Sequence, residues 1–253
     1  MKLQKWLNIV LTFSSFCVIA SGAYLVYSSN MFGLKQNAIQ SQRKVVIQDR
    51  RVKKISAEKL KKEVTNNVYK NKGWNRLGVV TIPFLNISLP IYDHPYDEQA
   101  LAKGAQHLNA VNKNQISVDG SIGSGNYILV AHNYNDGKTM FSALQQNLNK
   151  DAPYLVNNST QTNNWLSGKK VYVANDQGIY EYTIDAQKAI KGIDTSVRQN
   201  TEQAKLSIIT CLFPSDQYRI DTEGTLTNYW SWSMAPQSVL QKINIKFNLK
   251  GSR

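Results

Sequence analysis

The 253-residue chain carries 30 Lys+Arg against 17 Asp+Glu, a formal net charge of +13, with 42% hydrophobic and 19% charged residues. That balance belongs to a globular protein and excludes a disordered, collagen-like or polytopic membrane chain. Two cysteines, Cys17 and Cys211, and three histidines exclude a disulfide-stapled scaffold and a multi-cysteine zinc or iron–sulfur centre, and leave little for a histidine metal site.

The charge is lopsided. Residues 1–72 hold 14 Lys/Arg and three acids, whereas residues 73–253 hold 16 and 14. A nucleic-acid-binding domain would carry its positive excess on the folded part, so nucleic acid is not an expected partner. From Trp6 to Tyr27 no charged residue occurs for 22 positions. As a helix that stretch is about 33 Å long, enough to span a bilayer once. Residues 1–29 are therefore read as an N-terminal membrane anchor, with Lys2 and Lys5 ahead of the apolar run and Trp6, Tyr24 and Tyr27 at its margins. A cleaved signal peptide ending near Ser21-Gly22-Ala23 is the competing reading, and the apolar run that continues through Tyr27 favours the anchor. Either way, the remainder is exported. Residues 30–72 read as a basic stalk, in which the spacing of Val52, Ile55, Leu60 and Val64 favours a short amphipathic helix. It would serve as a collar against anionic headgroups or wall polymers, or simply as a solvated spacer.

Residues 73–253 change texture to short alternating apolar runs. Strands are predicted at 77–82, 87–92, 127–131, 170–174, 178–184, 206–210 and 218–226, with helical stretches at 97–103 and 139–148 and a last helix or strand within 236–247. Seven or eight strands imply an all-β domain with short helices, a barrel or a sandwich.

Beyond the apolar N-terminal run only one cysteine remains, and an unpaired thiol in an exported domain is an oddity that use would explain. Cys211 directly follows the alternating strand Leu206-Ser207-Ile208-Ile209-Thr210, and a strand end is a rigid mount for a nucleophile. A thiolate needs a proton partner and positive charge nearby. His132 ends another apolar strand, and Arg219 opens the strand after Cys211, where it could hydrogen-bond a developing oxyanion. The bland readings are a small buried cysteine and a solvated strand-end arginine. His94, in a turn before Pro95, and His107, in the connection Gly104-Ala105-Gln106-His107-Leu108, are expected to be structural.

Leu129-Val130-Ala131-His132-Asn133, then Phe141 and Leu144, then Ile208-Ile209-Thr210-Cys211, and finally Arg219-Ile220 resemble the sortases, the cysteine transpeptidases of Gram-positive surfaces. Upstream, Leu89-Pro90-Ile91-Tyr92 and Gly104-Ala105-Gln106-His107-Leu108 fit the same pattern, with Ala131 and Gln106 where the family more often has glycine. The resemblance implies an eight-stranded β-barrel that cuts an LPxTG-type signal between Thr and Gly. It assigns Cys211 as nucleophile, His132 as general acid and then base, and Arg219 as holder of the substrate backbone and oxyanion. Ala131 and Thr210 would line the groove, with Ile190, Ile193 and Val197 contacting the Leu-Pro part. The implied partners are LPxTG-bearing surface proteins, a lipid-linked peptidoglycan precursor as amine donor, and the membrane through residues 6–27, with the amino terminus cytoplasmic and the domain outside.

Residues 228–253 contain no long apolar run and the chain has no Asp-Pro dipeptide, which resembles the housekeeping class A type rather than pilin-polymerising sortases. Some class A enzymes use calcium. Asp194 and Glu202 precede the cysteine strand, and Asp93, Asp97 and Glu98 cluster elsewhere, but scattered acids are usually solvated and no cofactor or metal is predicted. An L,D-transpeptidase would show an S-H-G-C stretch, and a papain-like enzyme would place cysteine before histidine. A non-catalytic, membrane-tethered wall-binding module is the rival of a different class.

Overall fold

The computed structural model describes residues 54–108, 120–192, 197 and 199–251. The expected membrane anchor and most of the stalk lie outside the described residues. No helix among the described residues is long and apolar enough to cross a membrane.

Residues Ile55–Arg253 form one compact unit. Its strands are β1 (Arg76–Ile82), β2 (Ile87–Tyr92), β3 (Ala105–His107), β4 (Asn126–Val130), β5 (Leu155–Val156), β6 (Ser159–Thr160), β7 (Thr162–Asn163), β8 (Lys170–Ala174), β9 (Gly178–Lys191), β10 (Lys205–Cys211) and β11 (Tyr218–Ser231). Its α-helices are α1 (Ala57–Thr65), α2 (Glu98–Leu101) and α3 (Gln237–Leu240). Eight strands hydrogen-bond in the order β11-β10-β4-β3-β2-β1-β8-β9, and β9 pairs back with β11 to close a barrel. Closure leaves no long unpaired edge, and the short β7 extends the sheet beside β9.

Most neighbours are antiparallel, but β4 and β10 run parallel, as do β2 and β3. Alternation decides what fills the interior. Tyr127 and Leu129 of β4, Leu206 and Ile208 of β10, and Leu89 and Ile91 of β2 share one buried cluster with Phe141 and Leu144. The residues between them, Ile128 and Val130 on β4 and Ile209 on β10, belong to a second, smaller apolar cluster on the other face of the sheet.

The short β3 was expected to be a connection. Gly104 makes its pairing possible, because a Cβ there would lie 2.4 Å from the Pro90 carbonyl oxygen, inside the β2 backbone. Strands β9 and β11 run well past the predicted 184 and 226. Polar residues such as Gln187 and Lys188 interrupt the apolar alternation, yet past a bulge at Asp185 they pair with β11 as far as Tyr218↔Lys191. The predicted helix at 139–148 shrinks to a 3-10 turn at Ser142–Leu144. Met140 before it has a φ of 54°, and the backbone turns extended at Gln145, so the helix propagates in neither direction.

The helix expected in the stalk exists as α1, and it is seated on the barrel. Ser56 caps it by accepting from Lys59 N, and its apolar face buries Leu60 and Val64 in a cluster with Val79, Ala174, Trp232, Leu240 and Ile243. Residues 55–72, read from sequence as part of a linker, thus share the core of the β-domain.

Candidate functional site

The parallel register of β4 and β10 runs from Lys205↔Asn126 to Ile209↔Val130. Just past it, Ala131 N donates to Ile209 O (3.4 Å) and Thr210 Oγ1 donates to the Ala131 carbonyl (2.8 Å). Asn133 Nδ2 then donates to the Cys211 carbonyl (2.8 Å). The two strand ends therefore advance together and carry His132 and Cys211 out side by side. On the other flank, β10 and β11 are antiparallel with Cys211 directly opposite Arg219. Strand alternation puts all three on the face of Ile128, Val130 and Ile209, away from the barrel interior.

His132, Cys211 and Arg219 line one groove of about 430 Å³ with Ala131, Thr210, Ile190 and Val197. Ile190 is buried in the apolar patch of that face and Val197 packs against its edge. Thr210 and Ala131 belong to its floor, since the Thr210 hydroxyl is turned onto the Ala131 carbonyl. Ile193 and Asp194 lie outside the described residues.

Cys211 is a partly exposed free thiol. The His132 carbonyl accepts from Phe141 N (3.1 Å), its Nε2 lies 3.3 Å from Glu98 Oε1, and its ring packs obliquely on Tyr134 at 5.3 Å. The Arg219 Nη1 donates to the carbonyls of Asp216 and Tyr218, both at 2.9 Å, beside the backbone of Gly192. A polar brace holds the cysteine end. Buried Asn133 donates to Gln145 Oε1 (2.8 Å) as well as to Cys211 O. Gln145 in turn donates to Phe213 O (2.6 Å) and accepts from Phe213 N (3.0 Å).

Below the groove, Asp221 is fully buried opposite Ile209. Burial, with the adjacent Glu223 carboxylate, pushes its carboxyl up to about 7, while Glu223 takes both Lys188 (2.7 Å) and Lys205 (2.6 Å). The other two histidines stand away from the groove. His107 stacks on Tyr127 at 4.4 Å, contacts the Ile128 carbonyl, and is pushed toward its neutral form by burial. His94 Nδ1 sits 2.6 Å from Asp93.

A family model for the sortase domain matches residues 80–226, more than half of the chain. The chain belongs to the sortase family. It is 25% identical over 140 residues to Sortase A of Listeria monocytogenes serovar 1/2a (strain ATCC BAA-679 / EGD-e), a match covering 55% of this chain and 51% of that protein. It is 26% identical over 202 residues to Sortase A of Streptococcus agalactiae serotype III (strain NEM316), covering 78% and 70%. This chain thus spans about half the length of the first of these relatives and 70% of the second. Among solved structures, Listeria monocytogenes sortase A superimposes with a TM-score of 0.51 at 22% identity, over 66% of this chain and 96% of that one. That likeness shows the sortase fold.

Sequence reasoning missed part of this sortase's groove. Pro95, Tyr96, Leu101 and Leu108 line it as well, brought there by α2 and β3. Val130 and Ile209 line it too, and their signal was available: each lies two residues from His132 or Cys211 on the same strand face. Glu98, read as scattered surface charge, touches His132.

Proposed function

We propose that this sortase is a membrane-anchored cysteine transpeptidase of class A type. It cleaves an LPxTG-type sorting signal between Thr and Gly and transfers the surface protein to the amine of a lipid-linked peptidoglycan precursor. The observation that carries the reading is the convergence of Cys211, His132 and Arg219 from three adjacent strand ends on one half-apolar groove.

The Cys211 sulfur attacks the threonine carbonyl, and the electron pair moves to the carbonyl oxygen, where the Arg219 guanidinium stabilises it. As the C–N bond breaks, His132 gives a proton to the glycine amine, leaving a thioacyl-enzyme. The incoming amine attacks that thioester, His132 takes its proton, and the thiolate departs. The apolar wall of Leu108, Ile190, Val197 and Ile209 suits the Leu-Pro part of the signal. Residues 6–27 as a single span, amino terminus cytoplasmic, would keep the enzyme beside a lipid-linked acceptor. The class A reading is supported by the names of the two relatives, both Sortase A.

The test is the full chain in detergent with a quenched fluorescent LPxTG peptide, with and without an oligoglycine amine, beside Cys211→Ala. Cysteine-dependent cleavage, with a new amide when the amine is present, supports the reading. Absence of both cleavage and a thioacyl adduct across several signal variants overturns it and leaves a tethered wall-binding module.

A further inference from the structure

An imidazole has two nitrogens, and a group that shuttles a proton performs best when only one of them is engaged in the exchange. At His132 the Nε2 position is taken: Glu98 Oε1 lies 3.3 Å from it. A carboxylate accepts and does not donate, so this contact keeps the proton on Nε2.

The mount of Glu98 is stiffer than its exposed side chain suggests. It opens α2, whose N-cap Asp97 accepts from Gln99 N (2.8 Å) and Ala100 N (3.3 Å), while Trp74 Nε1 donates to the second Asp97 oxygen (3.1 Å). On its inner side α2 is strapped to the sheet, because buried Gln106 donates from Nε2 to the Ala100 carbonyl (2.7 Å) and accepts from His94 N (3.2 Å). Gln106 stands on β3, paired with Val130 of β4, two residues before His132. A continuous set of hydrogen bonds thus links the carboxylate's helix to the histidine's strand. Gln106 is also where this chain departs from the glycine more usual in the sortase pattern.

Among the described residues, Glu98 is the acceptor placed at Nε2. Tyr134 lies obliquely against the ring, Lys250 Nζ lies 4.6 Å from the centroid of the Tyr134 ring, and Glu98 is near enough to help burial push the Tyr134 phenol up. Arg219 and Cys211 line the same groove as the ring.

We propose that Glu98 is a positioning residue for His132. Its carboxylate holds the Nε2 proton and the ring's orientation, and leaves Nδ1 as the nitrogen that passes its proton to the leaving amine and takes one from the incoming amine. The role in turnover rests on the transpeptidase reading above; the pairing itself does not.

The experiment uses full-length chain labelled with 15N-histidine, in which three histidines give a tractable spectrum. The His132 signals are identified by their loss in His132→Gln. In the wild type the neutral His132 ring is expected as the Nε2–H tautomer with a solvent-protected proton. Glu98→Ala loses that protection, Glu98→Lys shifts the ring toward Nδ1–H, and Glu98→Asp restores part of it. With LPxTG peptide and oligoglycine, kcat is expected to fall about two- to fivefold in Glu98→Ala, the range of an exposed charged contact, with KM unchanged. Spectra and kcat indifferent to all three variants, or a kcat raised by Glu98→Ala, overturn the proposal. A ring that responds to Glu98 in a protein that turns over no sorting peptide upholds the pairing and overturns the transpeptidase reading.

Discussion

Asn133 makes three side-chain hydrogen bonds at 2.8 Å: Nδ2 to Cys211 O, Nδ2 to Gln145 Oε1, and Oδ1 from Asn135 N. With 5% of its surface exposed, no water stands ready to replace them. In Asn133→Ala, Cys211 O and Asn135 N lose the bonds Asn133 makes to them, while Gln145 Oε1 keeps Phe213 N. At about 1–3 kcal/mol for each buried group left unsatisfied, the loss is about 2–6 kcal/mol of stability. Asn133→Asp is nearly isosteric but replaces the donor with an oxygen, so two acceptors would face a carboxylate, and the cost is expected to exceed that of alanine. Because the bond is made to the carbonyl of Cys211 itself, a shift of about 1 Å there would lower kcat by about a hundredfold. Urea unfolding and single-turnover acylation of an LPxTG peptide measure the two effects separately. An Asn133→Asp protein with wild-type stability and acylation rate would refute the claim that the brace holds the cysteine.

Three further outcomes follow from the packing and the charges. Removing residues 1–72, or introducing Leu60→Ala, is expected to destabilise the β-domain by about 2–5 kcal/mol, because Leu60 and Val64 fill a cluster with Trp232 and Leu240; thermal melts of chains starting at 54 and at 73 compare them. Asp221 holds a proton in the native state up to about pH 7 that the unfolded chain releases near pH 4, so stability falls as pH rises through that window. Asp221→Asn should therefore raise the Tm at about pH 8 and leave it nearly unchanged below about pH 4. Arg219→Lys keeps the charge but loses the planar fork held over the Asp216 and Tyr218 carbonyls, and is expected to lower kcat/KM by at least about tenfold with little change in Tm.

The barrel's central strands were legible because β2, β8 and β10 announce themselves by apolar runs ending in polar turns. The groove face was legible because His132 and Cys211 close two such runs. What stayed hidden has identifiable causes. Strand β3 is three residues long, too short for any period to show, and it depends on Gly104 letting two backbones approach. The second half of β9 carries Lys188, whose place depends on Asp221 and Glu223 across on β11 and cannot be read from its own strand. Glu98 looked like solvated charge because its 82% exposure is real; only the fold of α2 against β3 brings it to a ring 34 positions away. The helix α1 was anticipated from the spacing of Leu60 and Val64, but spacing names a face and not what covers it.

The parallel pairing of β4 with β10 has a consequence for how the enzyme comes into being. Parallel neighbours need a long crossover, and here the hydrogen bonds joining the two strand ends span 78 and 79 positions of sequence. The chain between must order β8 and β9, and strand pairing over such a separation is intrinsically slow. Until that pairing forms, the chain carries the Cys211 thiol without the His132 imidazole that shares its groove in the native fold. On the proposed reading, reactivity arrives with the native topology, and an unfinished molecule has a cysteine but no proton partner with which to acylate itself on a passing polypeptide.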